Sequence, residues 1–72
     1  MKITAKVKCN SRVQLDADQD LVNFGADYYG EAAEVNAEWS RYTPAVALQM
    51  NVKRSVRFEP GQSYTLTFDD GA

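Results

Sequence analysis

Few residues of this chain have side chains suited to catalysis or metal binding. It contains no histidine and a single cysteine, Cys9, which excludes an intrachain disulfide, His-based catalysis and a zinc site with its usual nitrogen and sulfur ligands. Cys9 occupies an apolar position of an alternating segment, which favours a buried thiol over a reactive nucleophile. Glu38 beside Trp39 is the one candidate general acid or base, and a solvated glutamate is the preferred interpretation. The sequence therefore predicts a protein that is not an enzyme and has no cofactor.

Three aspartates at alternate positions, Asp16, Asp18 and Asp20, resemble the start of a calcium-binding loop. The glycine and the distal bidentate glutamate that an EF-hand requires at fixed spacing are absent. A solvated hairpin loop is the preferred interpretation, so we predict no metal site in this chain.

Alternating apolar and polar residues predict the strands that must position any binding residue. The first strand has one apolar register made of Ile3, Ala5, Val7, Cys9, Ser11, Val13 and Leu15. The opposite register, predicted to be solvated, contains Lys2, Thr4, Lys6, Lys8, Asn10, Arg12 and Gln14. Because typical strands have about five or six residues, we expect a bulge or a tight turn near Cys9-Asn10-Ser11.

Further strands are predicted at 21–29, 45–52 and 64–68. On the second, Val22, Phe24, Ala26 and Tyr28 form the apolar register, and Gly25 indicates a bulge or a close approach by neighbouring backbone. Residues 31–38 are rich in Ala and Glu and are predicted to form one or two helical turns or a surface loop. Pro60 and Gly61 suit the two central positions of a turn before the last strand.

The length of 72 residues predicts one domain, 1–72. A chain this short buries only about 60% of its unfolded surface, which is marginal for a domain on its own. The expected fold is all-β: a mainly antiparallel sheet or small open barrel of four or five strands, with at most a short helical turn within 31–38. No apolar run is long enough to span a membrane, and Met1-Lys2-Ile3 opens directly into a strand, so we expect no signal peptide.

Charge is segregated along the chain, although the net charge is only −2. Residues 1–15 and 39–57 contain only basic charges, whereas 16–38 and 58–72 contain only acidic ones. Such blocks can give a folded domain one positive and one negative face.

The C-terminal half resembles a group of small uncharacterised bacteriophage proteins. The resemblance is carried by Trp39-Ser40-Arg41-Tyr42-Thr43-Pro44, by the alternating run 47–52, and by Phe58-Glu59-Pro60-Gly61 leading into Tyr64-Thr65-Leu66-Thr67-Phe68. Residues 1–7 resemble the N-terminal strand of that group. The resemblance implies a phage origin and a compact antiparallel β-protein, located in the host cytoplasm or the virion, and it implies no activity.

These observations favour a phage accessory protein that acts by protein–protein interaction, with a virion component or a host factor as partner. The predicted contact residues are Trp39, Arg41, Tyr42, Arg54 and Arg57. Core burial of Trp39 and exposure on a contact loop both remain open. Pairing of exposed sheet edges could also give a homodimer. The alternative is a small barrel that binds single-stranded nucleic acid through the basic residues of the first strand, Arg54 and Arg57, with Tyr or Trp rings as stacking platforms.

Overall fold

The computed structural model describes residues 1–71 and shows four antiparallel strands that curl into a half-barrel, with one short helix. The elements in chain order are β1 (Lys2–Gln14), β2 (Gln19–Ala26), α1 (Glu31–Asn36), β3 (Ala47–Lys53) and β4 (Ser63–Asp69). Their order in the sheet is β3-β2-β1-β4. The prediction of a small all-β fold with a short helical turn is confirmed.

β1 lies in the middle of the sheet and pairs with one strand along its C-terminal part and with another along its N-terminal part. Its residues 7–14 pair with β2, and its residues 2–8 pair with β4. The register with β2 shifts between Cys9 and Ser11, so Asn10 is an extra residue without a partner on β2. This confirms the predicted bulge. A Cβ on Gly25 would lie 2.8 Å from Asn10 Nδ2, the end of an exposed side chain at the bulge, and 3.8 Å from the backbone oxygen of Val46.

The bulge reverses which residues of β1 face the core, because one extra residue shifts the period-two pattern by one position. Arg12 pairs with Val22 and points to the concave, core side, whereas Val13 and Leu15 are 53% and 49% exposed. The prediction that Val13 and Leu15 continue the apolar register of Cys9 is therefore wrong, as is the prediction of a solvated Arg12. Tyr28, predicted on the apolar register of β2, is also half-exposed, since β2 ends at Ala26.

The apolar core lies on the concave side of the sheet. Its buried members are Ala5, Val7, Cys9, Val22, Phe24 and Val52, and the partly buried side chains packed against them are Trp39, Val46, Leu48, Phe58, Tyr64 and Leu66. Phe58 joins β2 and β4 across this side: its ring makes edge-to-face contacts with Phe24 and Tyr64 at centroid distances of 5.1 and 5.0 Å. The predicted burial of the Cys9 thiol is confirmed.

Both predicted turns are present, but Asp20, predicted in the solvated loop after β1, is instead buried in β2 because it pairs with Arg12 and Arg54. Gln62 N–H donates to Glu59 O at 3.1 Å, and Gly61 has φ 90°, as the second central residue of a type II turn requires. In the β1–β2 loop, Asp16 Oδ1 accepts the backbone N–H groups of Asp18 and Gln19. No helix within residues 1–71 has the length and apolar character needed to cross a membrane.

Candidate functional site

The concave side of the half-barrel is open between β3 and β4, the two outer strands of the sheet. One opening, of about 170 Å³, is lined by apolar side chains of both strands and of the segment between them, including Leu48, Met50, Phe58, Tyr64 and Leu66. A second, of about 320 Å³, is lined by Ile3, Ala5, Trp39, Val46 and Phe68. We call these two openings together the groove. A cavity of about 150 Å³ with apolar walls can hold a benzene ring, so each opening has room for at least one apolar side chain.

The two openings are neighbours along β4. Leu66 lines the first and Phe68 lines the second, and successive residues on one face of a strand lie roughly 7 Å apart. An extended segment laid along the groove presents its own side chains at the same interval. The groove is therefore spaced to receive alternate side chains of an extended chain.

The groove is apolar, and part of it is exposed. Met50 is 39% and Phe68 55% exposed, and no charged residue lines either opening within the described part of the chain. Burying a large apolar side chain contributes about 1.5–3 kcal/mol, so covering Phe68 and Met50 is a favourable step for any partner that fits. The arrangement can bind an apolar segment.

The buried charges lie at one end of the groove and hold strands together. Arg12 Nε donates to Asp20 Oδ2 at 2.7 Å, and Arg54 Nη2 donates to Asp20 Oδ1 at 3.1 Å. The same guanidinium groups also donate to backbone: Arg12 to Phe58 O and Arg54 to Asp16 O. The hydrogen bond from Arg12, reinforced by Arg54, holds the pKa of the Asp20 carboxyl below its usual value. This cluster ties β1, β2 and the β3–β4 connection together.

A second polar cluster closes the sheet where β2 ends. Asp27 accepts one hydrogen bond from the Ser63 hydroxyl and another from the Tyr29 N–H, which together lower the pKa of its carboxyl. The fully buried Asn36 accepts the Lys6 N–H at 2.7 Å and donates to Lys6 O at 3.0 Å. Asn36 thus pairs with β1 as a backbone peptide group does. Among residues 1–71, no cluster of metal-ligating side chains is present.

The five predicted contact residues are not gathered at one surface. Trp39 is partly buried: its ring lines the groove and its Nε1 donates to Asn36 Oδ1 at 3.2 Å. Arg41 and Tyr42 are exposed and pack on each other, with the guanidinium 5.4 Å from the ring centroid. Arg54 is bound to Asp20.

Arg57 is exposed and pairs with Glu59 at 3.5 Å. Trp39 lies near Ala5 and Arg54 near Arg12, seven positions apart on β1, or roughly 20 Å at the rise of a strand. The structure therefore places Trp39 and Arg54 at opposite ends of the sheet, and it assigns Arg54 a structural contact.

The groove residues Met50, Leu66 and Phe68 were not among the predicted contact residues. Their alternation correctly indicates a core-facing register, yet Phe68 is more than half exposed because the half-barrel stops at β4. Whether a sheet closes depends on strand order and curvature, and neither follows from the alternation of one strand. Comparison of the chain with protein-family models, with curated proteins and with solved structures finds no match.

Proposed function

We propose that this protein is a binding module, not an enzyme, and that it acts by holding an extended apolar segment of another protein in the groove. The observation that carries the proposal is the open groove between β3 and β4, which has no charged residue in its lining and has Met50 and Phe68 exposed in it. Addition of a strand to an exposed sheet edge is a common mode of peptide recognition, in which backbone bonds give affinity and side-chain pockets give specificity.

The polar clusters support a binding role over a catalytic one. Asp20 is engaged by two arginines, and Asp27 by Ser63 and the Tyr29 N–H. Both carboxyls have a lowered pKa, whereas a general base at neutral pH needs a pKa near the working pH. Their contacts join strands and loops, so the proposal gives them a structural role.

The resemblance to the phage group extends the proposal to the partner's origin. We propose an accessory protein whose partner is a virion component or a host factor, so that the chain works in the host cytoplasm or in the particle. Segregated charge on the remaining surface would then orient the complex.

Affinity capture from phage-infected cells, with a matched pair of variants on β3, tests this function. Met50→Glu places a charge in the groove, whereas Asn51→Glu places the same charge on the convex face of the same strand. We expect Met50→Glu to lose the protein that the unchanged chain captures and Asn51→Glu to retain it. Circular dichroism checks that both variants fold. Retention by a folded Met50→Glu variant would refute the groove as the binding site.

A second candidate function is the binding of single-stranded nucleic acid on the convex face. Lys8 Nζ lies 5.7 Å from the ring centroid of Tyr29, which is 76% exposed, and Lys2 and Lys6 share this side of β1. A base stacked on Tyr29 beside these lysines would use the usual combination of ring and positive charge. Fluorescence anisotropy of a labelled oligothymidine should then show binding that weakens steeply with salt and is lost in Tyr29→Ala. Absence of binding at low salt would remove this candidate.

A further inference from the structure

The isolated chain exposes more surface than a compact protein of its mass. Its accessible surface is 5152 Å², whereas a folded monomer of 8.1 kDa is expected to expose about 4,500 Å². Its radius of gyration is 13.3 Å, against about 11 Å for a globular chain of this length. The excess, roughly 650 Å² per chain, is comparable to the area that each subunit buries in a small dimer interface of about 1,300 Å².

The outer edge of β4 is unprotected. Its residues 63–68 are uncharged and rich in Thr and aromatic residues, and no strand among the described residues pairs with β4 on the side away from β1. Exposed edges in monomers are normally protected by lysine, proline or a bulge. The other outer strand, β3, carries Lys53 and contains Ala, Gln and Asn, which favour strands less. β4 is therefore the edge best suited to pairing with another chain.

The sequence of β4 is nearly symmetric about Leu66. Antiparallel pairing with a second copy, centred on that residue, places Leu66 opposite the partner's Leu66 and Tyr64 opposite the partner's Phe68 on the concave face. On the convex face it places Thr65 opposite the partner's Thr67 and Ser63 opposite the partner's Asp69. Aromatic pairs and Thr–Thr pairs are favourable across strands, and no like charges face each other.

The backbone of β4 presents the bonds that this register needs. Cys9 N–H donates to Gln62 O, and Val7 is level with Tyr64 in the β1–β4 ladder. Because backbone groups alternate in direction along a strand, Tyr64, Leu66 and Phe68 direct their N–H and C=O groups toward β1. Thr65 and Thr67 direct theirs outward, so each can exchange two hydrogen bonds with the other threonine of a second copy.

From these observations we infer that the protein forms a two-fold symmetric homodimer through antiparallel β4–β4 pairing centred on Leu66, which joins two half-barrels into one continuous eight-stranded sheet. The pairing uses the edge of β4, and it does not involve Met50 or any other residue of β3. It goes beyond the proposed function, since a dimer can form whether or not the groove binds a further protein.

Sedimentation equilibrium and light scattering with a pair of proline variants test the dimer. Thr67→Pro removes an outward N–H that β1 does not use, so the subunit can fold. The edge of β4 then lacks one hydrogen-bond donor to the second copy, and the proline ring obstructs pairing there. Gln49→Pro makes the same change at an outward position of β3. We expect a mass of about 16 kDa for the unchanged chain and for Gln49→Pro, twice the 8.1 kDa of the monomer, and about 8 kDa for Thr67→Pro. A monomer at concentrations up to about 1 mM would overturn the inference, and so would dissociation by Gln49→Pro alone.

A cysteine on the symmetry axis tests the register independently of proline. Leu66 and its copy form a pair without mutual backbone hydrogen bonds, with Cα atoms about 4.5 Å apart, which suits a disulfide. Leu66→Cys should therefore form a covalent dimer under mild oxidation. Met50→Cys on β3 should not, and Cys9 does not interfere because it is 1% exposed. Crosslinking of Met50→Cys in place of Leu66→Cys would assign the interface to β3 and refute this register.

The failure of the dimer and the failure of the groove are distinguishable. A monomeric protein whose captured partner is lost in Met50→Glu leaves the proposed function in place without the dimer. A dimer whose captured partner is retained in Met50→Glu supports the inference and refutes the groove.

Discussion

Replacement of Asn36 should destabilise the protein more than its single side chain suggests, because the amide serves three separate parts of the chain. Asn36 Oδ1 accepts the Lys6 N–H and the Trp39 indole N–H, and its Nδ2 donates to Lys6 O and Asp27 O. In Asn36→Ala, Lys6 O keeps its bond from the Asp27 N–H at 3.0 Å. The Lys6 N–H, Asp27 O and Trp39 Nε1 lose theirs.

The loss can be estimated group by group. A buried polar group without a partner costs about 1–3 kcal/mol. Lys6 and Trp39 are only partly buried, so their cost lies near the lower limit, and the sum for the three groups is about 3 kcal/mol. The whole domain of 72 residues is expected to have about 4–11 kcal/mol of stability. Asn36→Ala should therefore remove a large share of it.

Asn36→Asp separates the contribution of the amide oxygen, which accepts hydrogen bonds, from that of the amide nitrogen, which donates them. The introduced carboxyl keeps an oxygen for the Lys6 and Trp39 N–H groups but turns its other oxygen toward two carbonyls, which disfavours the ionised form and raises its folded pKa above the unfolded value. A raised pKa in an acid means that the folded variant gains stability as the pH falls. The difference in unfolding free energy between Asn36→Asp and the unchanged chain should therefore narrow on acidification.

Urea titration followed by Trp39 fluorescence measures both effects, because the only tryptophan reports on the same cluster. Asn51→Ala, an exposed asparagine on β3, is the matched control and should change the unfolding free energy by no more than about 0.5 kcal/mol. An equally small change for Asn36→Ala would refute the assignment of Asn36 as a replacement peptide group.

Two further outcomes concern the loops and buried carboxyls. Hydrogen bonds from Arg12 to Asp20 and from Ser63 to Asp27 lower the pKa values of both carboxyls. Both carboxylates therefore stabilise the fold at pH values above the pKa of an aspartate in the unfolded chain, about 4. This contribution is lost as the pH falls through their folded pKa values. Unfolding free energy, measured with urea at pH 7 and pH 3, should fall on acidification and should fall less in Asp20→Asn; equal slopes would contradict this. Gly61→Ala should cost about 1–2 kcal/mol because φ is 90°, whereas a synthetic chain with D-Ala at this position should lose almost none, and equal losses would contradict the turn assignment.

The strands were predictable wherever local pattern alone decides them. Alternation located β1, β3 and β4, and Pro60-Gly61 identified the type II turn. The bulge near Asn10 was predictable too, since a strand of 13 residues rarely stays regular. Its effect on the faces depends on whether one residue is inserted there or two strands meet, and the alternation of β1 is compatible with both. Arg12 and Val13 exchanged faces for that reason.

The polar clusters were not predictable, because their partners are distant in sequence. Asn36 and Lys6 are separated by 30 positions, and Arg54 and Asp20 by 34. Nothing around Asn36 distinguishes it from a solvated asparagine at the end of a short helix. The role of Asn36 follows from the tertiary structure: β2 ends at Ala26, so the Lys6 N–H has no strand partner there and donates to Asn36 instead.

A partner can bind where strands of the sheet are left without a neighbouring strand. β1 residues 2–6 pair only with β4, and there Asn36 and Trp39 cover the opposite side. The outer edge of β3 ends in Lys53, which disfavours pairing. β4 has no charged residue before Asp69, and the groove opens beside it. The half-barrel lacks the strands that would close it between β3 and β4. We propose that an extended segment covers the groove left there, and we infer that a second copy pairs with the free edge of β4.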